Sequence, residues 1–373
     1  MNKTTPSAPQ SLKIAFVHDH PFDEVGGVQI ATLNLAKALT KLGHRVVLVN
    51  PGRFESSKLI ANFIEVRTAN VAADLEEIFR DTDVIQVNLT LSLNDLAIMS
   101  IKILTEIGRR FIISIRTYPT ILPYSKRIYE PKSFLHRRNI VKMALESGLC
   151  RPIAPTFAAV DSYTCLGYSG CFEVVRNFVN APTQASIVPW ELRENDVTFV
   201  GRLSRYKNVE DLVVALSMMK ESRNFKAKIV GSGENLDGLI ALSEGLGLEN
   251  NLEFCGELSH DVTLKLVGSS RVLVNTSLTE LCPNILVEAA LRSVSLVASD
   301  IPAHRTLSTD GMAIKLYPSG DPRKMSKQIE EALSEPDHRL LEERQEWVVK
   351  EFSSEALLKK YHEIYVSQTG CGE

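Results

Sequence analysis

Short apolar runs alternate with longer amphipathic stretches along this chain, and that alternation predicts βα units around parallel sheets. The run LKIAFVHD (12–19) reads as a buried strand. A glycine-containing loop follows, and then IATLNLAKALTKLG (30–43), whose apolar residues recur three and four positions apart, as on a helix. HRVVLVN (44–50), FIEVR (63–67), DVIQV (83–87) and RFIISI (110–115) predict further strands. Pro119, Pro123 and Pro131 interrupt the next stretch, and a helix is expected from about Ser133. PIAPTFAAVDSYTCLG (152–167) reads as a strand and then a helix, and CFEVVRNFVN (171–180) closes this half.

The rhythm breaks at APTQASIVPWELREND (181–196), where prolines and small residues give way to charges, as in an interdomain linker. A second series then begins. DVTFVG (196–201), FKAKIVG (225–231), NLEFCG (251–256), RVLVNT (271–276), VSLVAS (294–299) and IKLY (314–317) read as strands. VEDLVVALSMM (209–219), ENLDGLIALSEGLG (234–247), DPRKMSKQIEEALS (321–334) and SSEALLKKYHEIYV (353–366) read as helices. The expected architecture is α/β: two Rossmann-like lobes facing a central cleft, with ligands beyond the carboxyl ends of the strands. The first ten residues are expected to be a disordered tail, residues 11–185 the first domain and residues 186–352 the second.

Length and composition fit this division. The 373 residues suit two domains, and 44% hydrophobic with 23% charged residues is a globular profile. A net charge of −3 argues against general nucleic-acid binding. No apolar run reaches the length of a membrane span, and the start MNKTTPSAPQSLK lacks a signal peptide's apolar stretch, so a cytoplasmic protein is expected. The cysteines Cys150, Cys165, Cys171, Cys255, Cys282 and Cys371 show no C-x-x-C pairing and read as reduced thiols. Between Arg109 and Lys142 basic residues face a single acid, Glu130. That run is either a solvated face or a docking surface for an anionic acceptor or the inner membrane face.

Candidate chemistry gathers after the strands. Glu280 sits on a loop and Glu288 on the helix that follows, flanking a helix start whose free N–H groups suit phosphate oxygens. Two carboxylates there can accept hydrogen bonds from sugar or ribose hydroxyls. Arg202 and Lys207 follow Gly201 on another loop, a planar guanidinium and a point-charge ammonium suited to a diphosphate. Gly26 and Gly27 lie before the first helix, where they permit close backbone approach, although G-x-G-x-x-G is absent. GSGE (231–234) is similar. His18-Asp19-His20 and Asp81-x-Asp83 have metal-like spacing, but the first alternates across a strand and the second sits at a strand start. No metal is expected at either.

Together these segments resemble the retaining glycosyltransferases of family GT4, which have the GT-B fold. ELCPNILVE (280–288) is similar to the family's E-x7-E motif, VGRLSRYKN (200–208) to its G-R-L…K-G segment with Asn208 in place of glycine, and GGVQ (26–29) with LAKALTKLGHRVVLV (35–49) to its donor-contacting loop, helix and strand. RNFVN (176–180) is similar to P-N-G-V-D. The resemblance implies that Arg202 and Lys207 hold the donor diphosphate in place of a divalent metal. Glu288 would accept from the donor ribose and Glu280 from the transferred sugar, with Cys282, Pro283, Asn284 and Ile285 facing sugar or phosphates. Gly26 and Gly27 would approach the diphosphate, and Leu258 would lie near the base. The last helix, about 353–373, would pack back on the first domain. Arg116 stands where the family has a histidine beside the reacting sugar, and Gln86 and Asn88 stand where histidines are frequent. An arginine cannot act as a base but can stabilise a leaving phosphate or bind an anionic group.

The implied activity is metal-independent transfer of a sugar from a nucleotide-diphosphate donor, such as a UDP or GDP sugar, with retained anomeric configuration and no other cofactor. A glycan, a lipid carrier or a small-molecule natural product all fit as acceptor. A sugar-nucleotide epimerase of the same fold and a catalytically silent sugar-nucleotide-binding protein are the alternatives.

Overall fold

The computed structural model describes residues 11–19, 27–51, 64–69, 71–89, 96–116, 132–165, 167, 168, 170–177, 179, 187–220, 222–334 and 338–369. The chain divides into two compact units. The first holds the described residues 11–116, 132–177 and 354–369, and the second those from 179 to 353.

In the first unit, runs of Val, Ile and Leu make the central strands, which are buried on both faces as parallel sheets require, while the two edge strands are partly exposed. The strands are β1 (Lys13–His18), β2 (Arg45–Asn50), β3 (Ile64–Thr68), β4 (Val84–Leu89), β5 (Phe111–Ile115), β6 (Cys150–Ala154) and β7 (Glu173–Val174). All pair in parallel, in the order β3-β2-β1-β4-β5-β6-β7, with Phe16 opposite Leu48 on one side and Gln86 on the other. The helices between them are α1 (Gly27–Lys41), α2 (Ala72–Arg80), α3 (Leu96–Glu106), α4 (Lys132–Glu146) and α5 (Phe157–Thr164). Gly43, at φ +89°, ends α1 in the left-handed conformation, and the His44 N–H then closes on the Leu39 carbonyl at 3.2 Å. The pattern had given no reading of α3, because Leu96, Ala97, Ile98, Ser100, Ile101, Ile103 and Leu104 are all buried and no polar face is left to set a period.

The second unit repeats the plan. Its strands are β8 (Asn195–Val200), β9 (Ala227–Val230), β10 (Leu252–Gly256), β11 (Ser270–Asn275), β12 (Ser295–Ser299) and β13 (Lys315–Tyr317). They lie in the order β10-β9-β8-β11-β12-β13, again all parallel. Its helices are α6 (Val209–Met219), α7 (Leu236–Gly245), α8 (His260–Gly268), α9 (Asn284–Ala290), α10 (Pro302–Leu307), α11 (Pro322–Ser334) and α12 (His338–Phe352). Alternation along β11 builds two cores: Val272 and Val274 join Phe199, Leu216 and Ile329 on one face, while Leu273 joins Leu286, Leu296 and Phe352 on the other. Between β8 and β11 the strand order reverses, and loops leaving the carboxyl ends of these two strands diverge there.

The charged end of the expected linker is built into this unit instead. Arg193 is buried, and its guanidinium donates to the carbonyls of Val188 (3.1 Å), Ser270 (2.9 Å) and Arg292 (3.0 Å), while Asn195 already belongs to β8. A guanidinium with three carbonyl acceptors satisfies the hydrogen bonding that its burial demands.

The last helix, α13 (Ser354–Gln368), belongs to the first unit, where Leu357, Tyr361, Ile364 and Tyr365 share a core with Ile14, Phe16 and Leu35. A buried polar chain locks it in place. The Tyr365 hydroxyl donates to Gln86 Oε1 at 2.9 Å, Gln86 Nε2 donates to Asn88 Oδ1 at 3.1 Å, and Asn88 Nδ2 reaches Thr32 Oγ1 at 3.4 Å. Tyr365→Phe leaves the Gln86 oxygen without its donor and should destabilise the protein by about 1–3 kcal/mol. Urea unfolding checks this, and an unchanged midpoint would show the chain to be unimportant for docking α13.

Candidate active site

The loop after β8 carries Arg202 and Lys207, and the loop after β11 carries Glu280. Backbone geometry prepares the first loop. Gly201 N–H donates to the Val230 carbonyl at 3.0 Å and Leu203 N–H to the Ser232 carbonyl at 2.7 Å. These contacts need bare backbone on the neighbouring loop: a Cβ on Gly231 (φ +134°) would stand 2.0 Å from the Gly201 oxygen, and one on Gly233 (φ +155°) 2.4 Å from that of Leu203. The glycines of GSGE thus serve loop against loop. Asn208 ends a short turn at φ +47°, a left-handed conformation that asparagine tolerates better than most residues.

The two loops are then joined. Leu278 N–H donates to the Tyr206 carbonyl at 2.8 Å, Thr276 Oγ1 donates to the Lys207 carbonyl, and Lys207 Nζ pairs with Glu280 Oε1. Ser277 Oγ also donates to Glu280 Oε1, at 2.8 Å. Burial by itself would raise the Glu280 carboxyl, but the Lys207 ammonium and these hydrogen bonds outweigh it and hold the pKa below the usual carboxylate range. Arg202 is exposed, and its side chain makes no hydrogen bond or ion pair among the described residues, so its guanidinium is open to an incoming anion.

Glu288 lies on α9, buried to 8% side-chain exposure, and pairs with His260 Nε2 at 3.3 Å. Pro283 caps this short helix and is buried, while Cys282, Asn284 and Ile285 are half-buried around its start. Leu258 is half-buried on the loop after β10, two residues before His260. Arg202, Lys207, Leu258, Glu280, Cys282, Pro283, Asn284, Ile285 and Glu288 all belong to the second unit. Arg116 belongs to the first, just past β5, where its Nη1 donates to Asn177 Oδ1 and its buried Nε has no partner among the described residues. Gly27 is the first residue of α1, and Gly26 lies outside the described residues. So do Cys371 and residues 117–131 of the basic run, with Lys126 and Arg127, while the five described cysteines are free thiols.

The metal-like patterns have structural partners. Asp81 pairs with Lys13 and Arg67, Asp83 Oδ2 accepts from Lys13 N–H at 2.7 Å, and Asp19 Oδ1 accepts from Ala97 N–H at 2.8 Å at the start of α3. Among the described residues no group of three His, Cys, Asp or Glu side chains could hold a metal ion, and no helix is long and apolar enough to cross a membrane.

Two histidines had escaped the sequence reading. His260 opens α8 directly after the GELS loop, and that position is the one signal that could have marked it. His304 follows β12 and is fully buried, with Nδ1–H donating to the Ser299 carbonyl at 2.8 Å and Nε2 lacking a partner among the described residues. The Ser299 hydroxyl donates to the Ser277 carbonyl at 2.5 Å, which supports the Glu280 loop from below.

Residues 181–350 match the family model described as glycosyl transferases group 1. The match falls within the second unit, which is similar to the group 1 glycosyltransferases. An uncharacterized glycosyltransferase of Methanocaldococcus jannaschii is 33% identical over 108 residues, which is 29% of this chain and 28% of that protein. The curated relatives this chain matches are spanned over only 28% to 45% of their own lengths. The fold likeness is wider. A glycosyltransferase from Rickettsia africae superposes with TM-score 0.76 at 19% identity, over 97% of this chain and 100% of that one. Anabaena HepE, solved with UDP and glucose, gives 0.73 at 17% identity over 95% and 100%. Both are of the GT-B class, and the fold of the chain is GT-B.

Burial drives the His304 pKa down to about 4, although Glu280 and the Ser299 carbonyl pull it upward. The unfolded imidazole, near 6.5, therefore binds a proton that the folded one refuses, and stability is lost as pH falls from about 6.5 towards 4. The loss should reach about 3 kcal/mol at pH 4. Glu280 and other carboxylates with lowered pKa contribute mainly below pH 4.5; His44, also lowered by burial, and His260, raised by Glu288, titrate in the upper part of the window, so the share of His304 is read as the difference between wild type and a variant. In His304→Asn the amide can still donate to the Ser299 carbonyl, and urea unfolding between pH 7 and 4.5 should then lose most of its slope.

Proposed function

We propose that the chain is a retaining glycosyltransferase of the GT4 type that moves a sugar from a nucleoside-diphosphate sugar to an acceptor hydroxyl. One observation carries the reading: a cation and a carboxylate from the loops after β8 and β11 meet where the strand order reverses, with the Arg202 side chain, on the same loop as Lys207, unpaired among the described residues. Parallel α/β sheets bind ligands at such points. The group 1 match over the same residues and the GT-B likeness point the same way, and the UDP and glucose bound to HepE favour uridine as the base.

In this mechanism the donor diphosphate, carrying about two negative charges, takes Arg202 and Lys207 as its counter-ions. Lys207 then bridges phosphate and Glu280, and the carboxylate turns its lone pairs to the hydroxyls of the sugar. As the glycosidic bond lengthens, charge grows on the phosphate, and the two cations stabilise it without a divalent ion. The leaving phosphate oxygen takes the acceptor proton on the same face of the sugar, so configuration is retained. Glu288 accepts hydrogen bonds from the ribose. Arg116, with its unpartnered Nε, is suited to an anionic group on the acceptor.

Among uridine, guanosine, thymidine and adenosine diphosphate sugars, the true donor should raise the melting temperature, since it binds only the native state. With that donor and a panel of acceptors, Lys207→Ala should lower turnover by at least about 100-fold while leaving the fold intact, and EDTA should leave the wild type active. Unchanged turnover in Lys207→Ala would remove the diphosphate assignment.

A further inference from the structure

Glu288 is a carboxylate at 8% exposure, and a charge so buried needs a partner. Its partner arrives from another helix. Packing of α8 on α9 brings His260 Nε2 to 3.3 Å from Glu288 Oε1, and no other side chain hydrogen-bonds or pairs with that carboxylate among the described residues. Arg292, just past the end of α9, donates its Nη1–H to the Glu288 carbonyl at 2.7 Å and adds only its field. The hydrogen bond to Glu288 holds the imidazole above the usual histidine range.

We infer that His260 is a positioning residue for the donor ribose: it fixes Glu288 through Oε1 and leaves Oε2 to accept from the ribose hydroxyls. This rests on the donor reading above and narrows it. A carboxylate can only accept, and with one oxygen held at a fixed angle the other has a single direction to offer. A ribose hydroxyl satisfies that oxygen, whereas a deoxyribose donor leaves it buried without a partner. The site therefore selects ribonucleoside diphosphate sugars over their 2′-deoxy counterparts, and the selection runs through His260.

The test is calorimetric titration of the full chain with UDP, GDP, ADP and CDP, followed by the 2′-deoxy form of whichever binds most tightly. The wild type should prefer the ribose form at least about tenfold. His260→Ala should weaken the ribose form roughly tenfold, change the deoxy form little, and so erase the preference. His260→Gln, whose amide N–H reaches from a similar place, should restore it. If His260→Ala melts early, His260→Asn, too short to reach Glu288, takes its place. A variant that keeps the full preference, or a wild type indifferent to the 2′-hydroxyl, would overturn the role of His260. A wild type that binds none of the four nucleotides would instead overturn the donor reading itself.

Discussion

Parallel strands that diverge at a reversal of order leave a crevice beyond their carboxyl ends, and the loops bordering it must be held without a sheet between them. In the second unit that task falls to the Lys207–Glu280 pair, backed by the Leu278 N–H on the Tyr206 carbonyl and the Thr276 hydroxyl on the Lys207 carbonyl. The pair is only partly exposed, 27% for lysine and 16% for glutamate, so each charge depends on the other. In the proposed mechanism a diphosphate would meet a lysine already ordered and a carboxylate already ionised there.

A similar economy governs the second glutamate. Burying Glu288 beside His260 makes its charge tolerable and its orientation definite, while Arg202 on the other loop stays exposed and uncommitted. The site thus mixes preorganised acceptors with an unpaired cation. Preorganised groups need little rearrangement when charge develops on a leaving phosphate, which is where electrostatic catalysis gains most.

Much of this was legible in the chain. The central strands of both sheets were visible as apolar runs because they are buried on both faces, and α11 was visible because Met325, Ile329, Ala332 and Leu333 recur on one side. Helix α12 was not read. Its buried face includes Arg344, whose Nη2 donates to the Val294 carbonyl at 2.6 Å, and a buried arginine interrupts the apolar period that marks a helix. That Lys207 and Glu280 sit on loops after strands could be read from the chain, but their pairing could not, nor could His260 and His304, since a lone histidine carries no periodic signal.

Residue types and spacing determined the parallel α/β class, the two-unit plan, and the loops on which the charged groups sit, because burial periodicity and glycine tolerance are local properties of sequence. Which charges would meet was decided by tertiary structure alone. Lys207 and Glu280 are far apart along the chain, as are His260 and Glu288, and each pair forms only after strand order and helix packing bring their elements side by side. Ion pairing depends on distance in space and on loss of water, and neither is written in the spacing of residues.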